Sequence, residues 1–256
     1  MNETKIFAIS LDRFSKRFEN LSRNLEKIGL ECEFFQAVDG RENKKHSLFN
    51  RHDKKKRMLI KGNLLRGPEL GCYSSHYLLW EKCVSLNEPI IVLEDDAIII
   101  PDNFSDFYNN IKNLKTDYEC IRLFYCEKRK PKFLKIETFG AFDIVKFFKG
   151  PSYAVGYYLT PSGAKKFLES SKTWILPVDI FMDRFWTNKV ECYGVTPICL
   201  EHGVEIYGSN ITDNTRVIKK NFLTRVRRET FAAKELFFRL VHNLKYWLKF
   251  IIINRK

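Results

Sequence analysis

Pro89-Ile90-Ile91-Val92-Leu93-Glu94-Asp95-Asp96-Ala97 runs four apolar residues directly into three adjacent carboxylates. A strand with no polar position is one covered on both faces, the condition of a parallel sheet between helix layers. Upstream, the spacing predicts a helix from about Glu69 to Leu86, with Cys72, His76, Leu79 and Cys83 along one stripe. Earlier still, Ile6–Leu11 reads as a first buried strand, and Phe18, Leu21, Leu25 and Ile28 recur at helical spacing until Gly29 ends the pattern. Cys32–Phe35 gives a second strand running into Ala37-Val38-Asp39-Gly40. Downstream, Ile121–Tyr125 and Tyr153–Thr160 read as strands, and Thr160-Pro161 caps a helix through Leu168. Pro177-Val178-Asp179 precedes another helix over about Ile180–Asn188. This alternation predicts an α/β fold with a mostly parallel central sheet.

Composition sets the boundaries. The 256 residues are 45% apolar and 29% charged, as expected of an ordinary folded domain. No apolar run approaches the length of a membrane span; near the C-terminus the longest is Phe250–Ile253. The opening residues lack the features of a secretory leader, and seven scattered cysteines without a Cys-x-x-Cys fit a reduced, cytoplasmic setting. The net charge of +13 is unevenly placed: Lys44–Lys61 carries +7 and Lys219–Lys256 carries +9, leaving the remainder at −3. Residues 1–215 therefore read as one domain with a basic excursion at about 44–61, and residues 216–256 as a basic amphipathic helical tail. The composition changes after Ile211. In the tail, Ala233, Phe237, Leu240, Leu244, Trp247 and Ile251 form one helical stripe, with Lys234, Arg239, Lys245 and Lys249 off it. Such a helix suits an anionic membrane interface; packing against its own domain is the alternative.

Three adjacent carboxylates at the C-terminal end of a buried strand repel one another unless a cation or fixed donors compensate. Hard oxygen ligands of this kind suit Mg²⁺ or Mn²⁺. The plainer reading is an acidic turn. No glycine-rich phosphate loop is present, so a nucleotide would be held through a metal and side chains. Ser75-His76 lacks a Gly-x-Ser-x-Gly context, and His76 reads better as a buried, hydrogen-bonded helix residue than as a catalytic one. A metal-dependent phosphohydrolase could use the carboxylates, and a nucleic-acid binder would explain the charge, although no nucleic-acid motif is present.

An ordered set of segments is more specific. It comprises Ile9-Ser10-Leu11-Asp12-Arg13 with Arg17, Ala37-Val38-Asp39-Gly40, and Glu69-Leu70-Gly71-Cys72 with Ser75-His76 and Trp80. Leu93-Glu94-Asp95-Asp96, Gly156-Tyr157-Tyr158-Leu159, Gly163-Ala164-Lys165-Lys166 and Pro177-Val178-Asp179 follow. Together these segments resemble glycosyltransferase family 25, the lipooligosaccharide galactosyl- and glucosyltransferases related to the collagen galactosyltransferases. Leu70 in place of isoleucine, and Phe18 in place of a second arginine after Arg17, depart from the family pattern. The resemblance implies a GT-A-type nucleotide-sugar-binding fold, a UDP-hexose donor, Mn²⁺ or Mg²⁺, and inversion at the anomeric carbon. It also implies a lipid-linked oligosaccharide acceptor, met on the inner face of the inner membrane, with no nucleic-acid partner. Under it, Asp96 with Glu94 and His202 are the candidate metal ligands, and Asp179 is the candidate base, a helix N-cap being its other reading. Ser10, Arg13, Asp39, Glu94 and Asp95 are candidate nucleotide-sugar contacts, although Asp39 and Arg13 also read as a turn aspartate and a surface arginine.

Overall fold

The structure is a computed structural model and describes residues 4–203 and 222–254. In chain order its elements are β1 (Lys5–Ser10), α1 (Ser15–Glu26), β2 (Glu33–Gln36), α2 (Lys54–Lys61), α3 (Gly67–Leu86) and β3 (Ile90–Glu94). There follow β4 (Ala97–Ile99), α4 (Pro101–Asn110), β5 (Cys120–Arg122), β6 (Phe133–Phe139), β7 (Phe142–Phe147) and β8 (Gly156–Leu159). The chain then forms α5 (Pro161–Ser170), α6 (Val178–Met182), α7 (Phe185–Asn188), β9 (Tyr193–Thr196), β10 (Leu200–His202) and α8 (Phe222–Asn254).

Eight strands form one sheet in the order β2-β1-β3-β8-β5-β9-β7-β6, and β10 pairs with β4 in a separate ribbon. Successive side chains of a strand point to opposite faces, so β1 and β3 each feed two cores. Ile6, Ala8, Ile91 and Leu93 pack with Leu21 and Leu25 of α1 and with Phe104 and Phe107 of α4. Phe7, Ile9, Ile90 and Val92 pack on the other face with Leu79 and Trp80 of α3, Phe167 of α5 and Phe181 of α6. Trp174 completes that second core by stacking on Tyr73, with ring centroids 4.1 Å apart.

The expectation of a mostly parallel sheet is corrected. β1 pairs in parallel with both β2 and β3, as the strand–helix–strand rhythm implies. However, β8 enters antiparallel between β3 and β5, and the β6–β7 hairpin extends the sheet antiparallel from β9. The sheet is therefore mixed.

The basic stretch 44–61 is an ordered part of the fold rather than a loose excursion. Asp53 caps α2 by accepting a hydrogen bond from the Lys56 amide at 2.8 Å. Arg57 is buried, donating to the carbonyl oxygens of Asn63 at 3.3 Å and Ile175 at 3.1 Å. The helix expected over Ile180–Asn188 is two short ones, α6 and α7. Ile211 and the expected boundary at 215/216 lie outside the described residues.

α8 docks on the domain by polar contacts. Arg184 donates to Glu235 from Nε at 2.5 Å and from Nη2 at 2.8 Å. Asn243 Nδ2 donates to the Phe148 carbonyl at 2.8 Å, Tyr246 and Tyr193 share a hydroxyl hydrogen bond, and His242 bonds Glu191. Glu191 Oε2 also lies 2.7 Å from Lys146 Nζ, a fully buried ammonium seated over the Phe185 ring at 3.7 Å. Burial works against ionising Glu191, but His242 and Lys146 outweigh it and hold its carboxyl below the usual glutamate value. The opposite side of α8 is apolar and exposed: Phe237 at 61%, and Leu240, Leu244 and Trp247 at 56%, 56% and 45%.

Candidate active site

The C-terminal ends of β1 and β3 open into a cleft of about 550 Å³. A crevice beyond the carboxyl ends of strands is where open α/β sheets bind ligands. All eight candidate residues line it: Ser10, Arg13, Asp39, Glu94, Asp95, Asp96, Asp179 and His202. They come from distant stretches of chain, so their meeting is a property of the fold.

Tight backbone packing sets one wall. A Cβ on Gly71 would sit 2.3 Å from the Val38 carbonyl oxygen, and one on Gly40 would sit 1.7 Å from that of Gly67. The Ala37–Gly40 segment thus lies directly on the start of α3, where Ser75 Oγ accepts a hydrogen bond from the Val38 amide at 2.9 Å. Asp39 accepts from the Arg41 amide at 2.9 Å and pairs with Arg13. Asp39 does sit in a turn, as one of its readings has it, and its pairing with Arg13, from the turn that follows β1, holds both side chains at the cleft.

The three carboxylates have three different environments. Glu94 Oε1 lies 3.2 Å from His76 Nε2 and 3.8 Å from Cys72 Sγ. Asp95 accepts from Ser10 Oγ at 2.7 Å and faces the Arg17 guanidinium at 3.7 Å. Burial pushes the Asp95 carboxyl up to about 6; the Ser10 hydrogen bond opposes this, and the neighbouring Asp96 charge adds to it. Asp96 Oδ2 lies 3.3 Å from His202 Nε2, and that contact holds the imidazole above its ordinary pKa. The β10–β4 ribbon makes the meeting possible by pairing His202 with Ala97.

Asp96 Oδ1 is buried and has no hydrogen-bond partner among the described residues. A buried, unpaired carboxylate oxygen beside an imidazole is costly as it stands and suits a divalent cation. A second group of ligand type is Cys72, His76 and Glu94, whose ligand atoms lie within 4.8 Å of one another. There, burial and the Glu94 charge push the Cys72 thiol well above its usual pKa. His76 already bonds Tyr157 through Nδ1 at 2.9 Å. The reading of His76 as a buried, hydrogen-bonded residue fits this geometry, yet the same ring also reaches Glu94 in the cleft. Cys72 and His76 share a helix face in the sequence, but nothing local shows that this face meets the end of β3.

Asp179 lies in the first turn of α6, whose N-cap is Pro177 with no side-chain capping bond. The cap alternative is therefore not what the geometry shows. Asp179 instead lines the cleft together with Tyr153. Ser152 and Tyr153 hold left-handed backbone angles, φ 58° and 65°. Arg122 donates to the Tyr153 carbonyl at 2.9 Å and to Asp183 Oδ1 at 2.9 Å, while Asp183 Oδ2 accepts from the Ser152 amide at 2.8 Å. This buried clamp was not identified from sequence.

Residues 3–182 match the family model described as glycosyltransferase family 25 (LPS biosynthesis protein). The chain is 30% identical over 204 residues to a glycosyltransferase 25 family member of Aedes aegypti, covering 73% of this chain and 32% of the relative. It is 30% identical over 208 residues to the procollagen lysyl hydroxylase and glycosyltransferase of Acanthamoeba polyphaga mimivirus, covering 73% of this chain and 22% of that protein. The Haemophilus influenzae lipooligosaccharide biosynthesis protein lic2B is 24% identical over 216 residues, covering 80% of this chain and 78% of lic2B. The chain thus spans about a third or less of the first two relatives and most of the third. With its sequence match extending from β1 through the carboxylates of β3 to α6, the chain belongs to glycosyltransferase family 25.

Proposed function

We propose that this protein is an inverting hexosyltransferase that moves galactose or glucose from a UDP-sugar onto a lipopolysaccharide or lipooligosaccharide core acceptor. The convergence of the acidic strand end, Asp179 and His202 on one cleft carries this reading. Asp96 and His202, with Glu94, are the residues that would hold Mn²⁺ or Mg²⁺, and the orphaned Asp96 oxygen supports that choice. Such a cation, when bound, neutralises charge developing on a departing diphosphate. Asp95, fixed by Ser10 and facing Arg17, would bind the donor ribose. Arg13 and Asp39 border the nucleotide end of the cleft. Asp179, in the first turn of α6 rather than at its N-cap, would take the proton from the acceptor hydroxyl, a role worth a factor of roughly 10²–10⁴.

The acceptor reading includes the membrane. No helix among the described residues is long and apolar enough to cross a bilayer. α8 instead presents an exposed apolar stripe within a segment carrying +9, a pattern suited to the anionic inner face of a bacterial inner membrane. Its domain-facing side is satisfied by polar contacts, so both expected fates of the tail, membrane contact and packing on the domain, are compatible on one helix.

The direct test incubates the full chain with Mn²⁺, UDP-galactose or UDP-glucose, and core oligosaccharide. Mass spectrometry should find one added hexose with release of UDP, and NMR of the product should show an inverted anomeric configuration. A folded protein that transfers neither hexose would refute the reading.

A further inference from the structure

A second cleft, of about 890 Å³, lies beside the first and shares Tyr153 and Asp179 with it. Its other walls are the segment before β6, the loop after β7 and the middle of α8. Four cations line it: Arg129, Lys132, Lys149 and Arg239. The first three are exposed, and none of the four has a carboxylate partner among the described residues. Arg239 lies over the Trp186 ring at 6.0 Å, an arrangement that leaves its guanidinium charge uncompensated.

The cleft also has neutral recognition chemistry. Asn243 Oδ1 is buried and lacks a hydrogen-bond partner, while its amide nitrogen is tied to the Phe148 carbonyl. The free oxygen can accept a hydrogen bond from a hydroxyl. Tyr153, 39% exposed, stands at the junction of the two clefts. Unpaired cations, an orphaned amide oxygen and an exposed aromatic ring together match a charged sugar, which offers anionic groups, hydroxyls and an apolar ring face.

We propose that this second cleft is the acceptor subsite, binding the phosphate- or carboxylate-bearing part of an anionic glycan whose reacting hydroxyl reaches Asp179. The assignment rests on the glycosyltransferase reading of the first cleft and names what that reading leaves open. Charge explains why two clefts are needed. The first is acidic and would repel an anionic acceptor, whereas the second attracts one and holds it next to Asp179. Leu240 belongs both to the lining of this cleft and to the exposed stripe of α8, so the subsite opens beside the surface proposed to meet lipid.

The test compares the full chain with a triple variant, Arg129→Gln, Lys132→Gln and Lys149→Gln. These residues are exposed and unpaired, so unfolding temperature should not change. The probes are delipidated core oligosaccharide, the same material after enzymatic dephosphorylation, and the same material after carboxyl reduction. The unaltered protein should prefer the native oligosaccharide over at least one neutralised form by tenfold or more in KM. The triple variant should treat them alike within about twofold, with its donor KM unmoved. Loss on dephosphorylation assigns phosphate as the anion, and loss on carboxyl reduction assigns carboxylate. Calorimetric binding of the same oligosaccharides repeats the comparison without turnover, so an absence of sugar transfer would count against the first cleft alone. Equal affinity for all three oligosaccharides, or a triple variant with unchanged preference, would overturn the proposal.

Discussion

Replacing Asp183 by asparagine should cost stability and activity together, because Asp183 and Arg122 clamp the strained corner at which the two clefts meet. Both residues are buried, with side-chain exposures of 11% and 3%. Removing one charge of a buried pair leaves the other uncompensated, at a typical cost of about 3–5 kcal/mol. Left-handed backbone at Ser152 and Tyr153 costs roughly 1–2 kcal/mol per residue, so the loop has a driving force to relax once the clamp opens. Asparagine matches the shape of aspartate, but only one of its terminal atoms can accept a hydrogen bond, and Arg122 and the Ser152 amide both donate. Urea unfolding at neutral pH should therefore show a loss of about 3–5 kcal/mol. For a protein of this size, 1 kcal/mol corresponds to roughly 2–4 °C in Tm. Tyr153 moves with the loop, so kcat/KM for acceptor should fall even at temperatures where the variant remains folded. Arg122→Met combined with Asp183→Leu removes both charges and should cost less than Asp183→Asn alone. A single variant within about 1 kcal/mol of the unaltered protein, with unchanged acceptor kinetics, would refute the clamp.

Asp96→Asn should abolish Mn²⁺-dependent binding of UDP-sugar, measured by calorimetry, with little loss of stability in metal-free buffer. Asp179→Asn should lower kcat by roughly 10²–10⁴ while donor affinity holds; a normal kcat would remove Asp179 as the base. The ionised Glu191 contributes stability above the unfolded glutamate pKa of 4.5, and this is lost as pH falls below it through the depressed folded value. Acid unfolding of Glu191→Gln should accordingly lose part of its steepness below pH 4.5. Leu244→Glu with Trp247→Glu should abolish co-sedimentation with anionic vesicles yet leave turnover of a soluble acceptor intact. This surface pair is a cleaner test than cutting the chain after Lys220, because truncation would strip Tyr246 and His242 from the buried Lys146–Glu191 pair.

What could be read from the sequence followed the reach of the signals. β1, α1, β2, α3 and β3 were legible because contiguous apolar strands and helical stripes are local patterns. The direction of β8 was not, since Gly156–Leu159 is buried at every position and such a run looks the same parallel or antiparallel. The β6–β7 hairpin escaped because its turn is Gly140-Ala141 rather than a strong turn pair, and because β6 carries a register shift between Lys135 and Glu137. The basic stretch 44–61 looked unstructured because its charge masks Arg57, which is bound to two backbone carbonyls from distant segments. In the site, the carboxylates were legible as a local acidic run at the end of a buried strand, and Asp179 was singled out under the family resemblance. The approach of His202 to Asp96 depends on a three-residue ribbon, and the Arg122–Asp183 clamp joins residues 61 positions apart.

Electrostatics ties the two clefts to the helix. Outside its two basic segments the chain carries −3, and the first cleft is lined by six carboxylates, those of Asp39, Glu69, Glu94, Asp95, Asp96 and Asp179, against three arginines, Arg13, Arg17 and Arg41. A diphosphate would be repelled by the carboxylates at the strand end, and under the proposed function an accompanying cation would offset that repulsion. The acceptor presents the reverse problem, because an anionic glycan needs positive charge that does not also neutralise the metal ligands. Placing Arg129, Lys132, Lys149 and Arg239 in a neighbouring cleft separates the two requirements. Under the proposed reading α8 would link this cleft to the lipid surface: Arg239 and Asn243 line the cleft, while Leu244 and Trp247, within one or two turns, are exposed. On this arrangement a glycan held at the membrane reaches Asp179 from the α8 side, and the metal-bound donor occupies the strand ends.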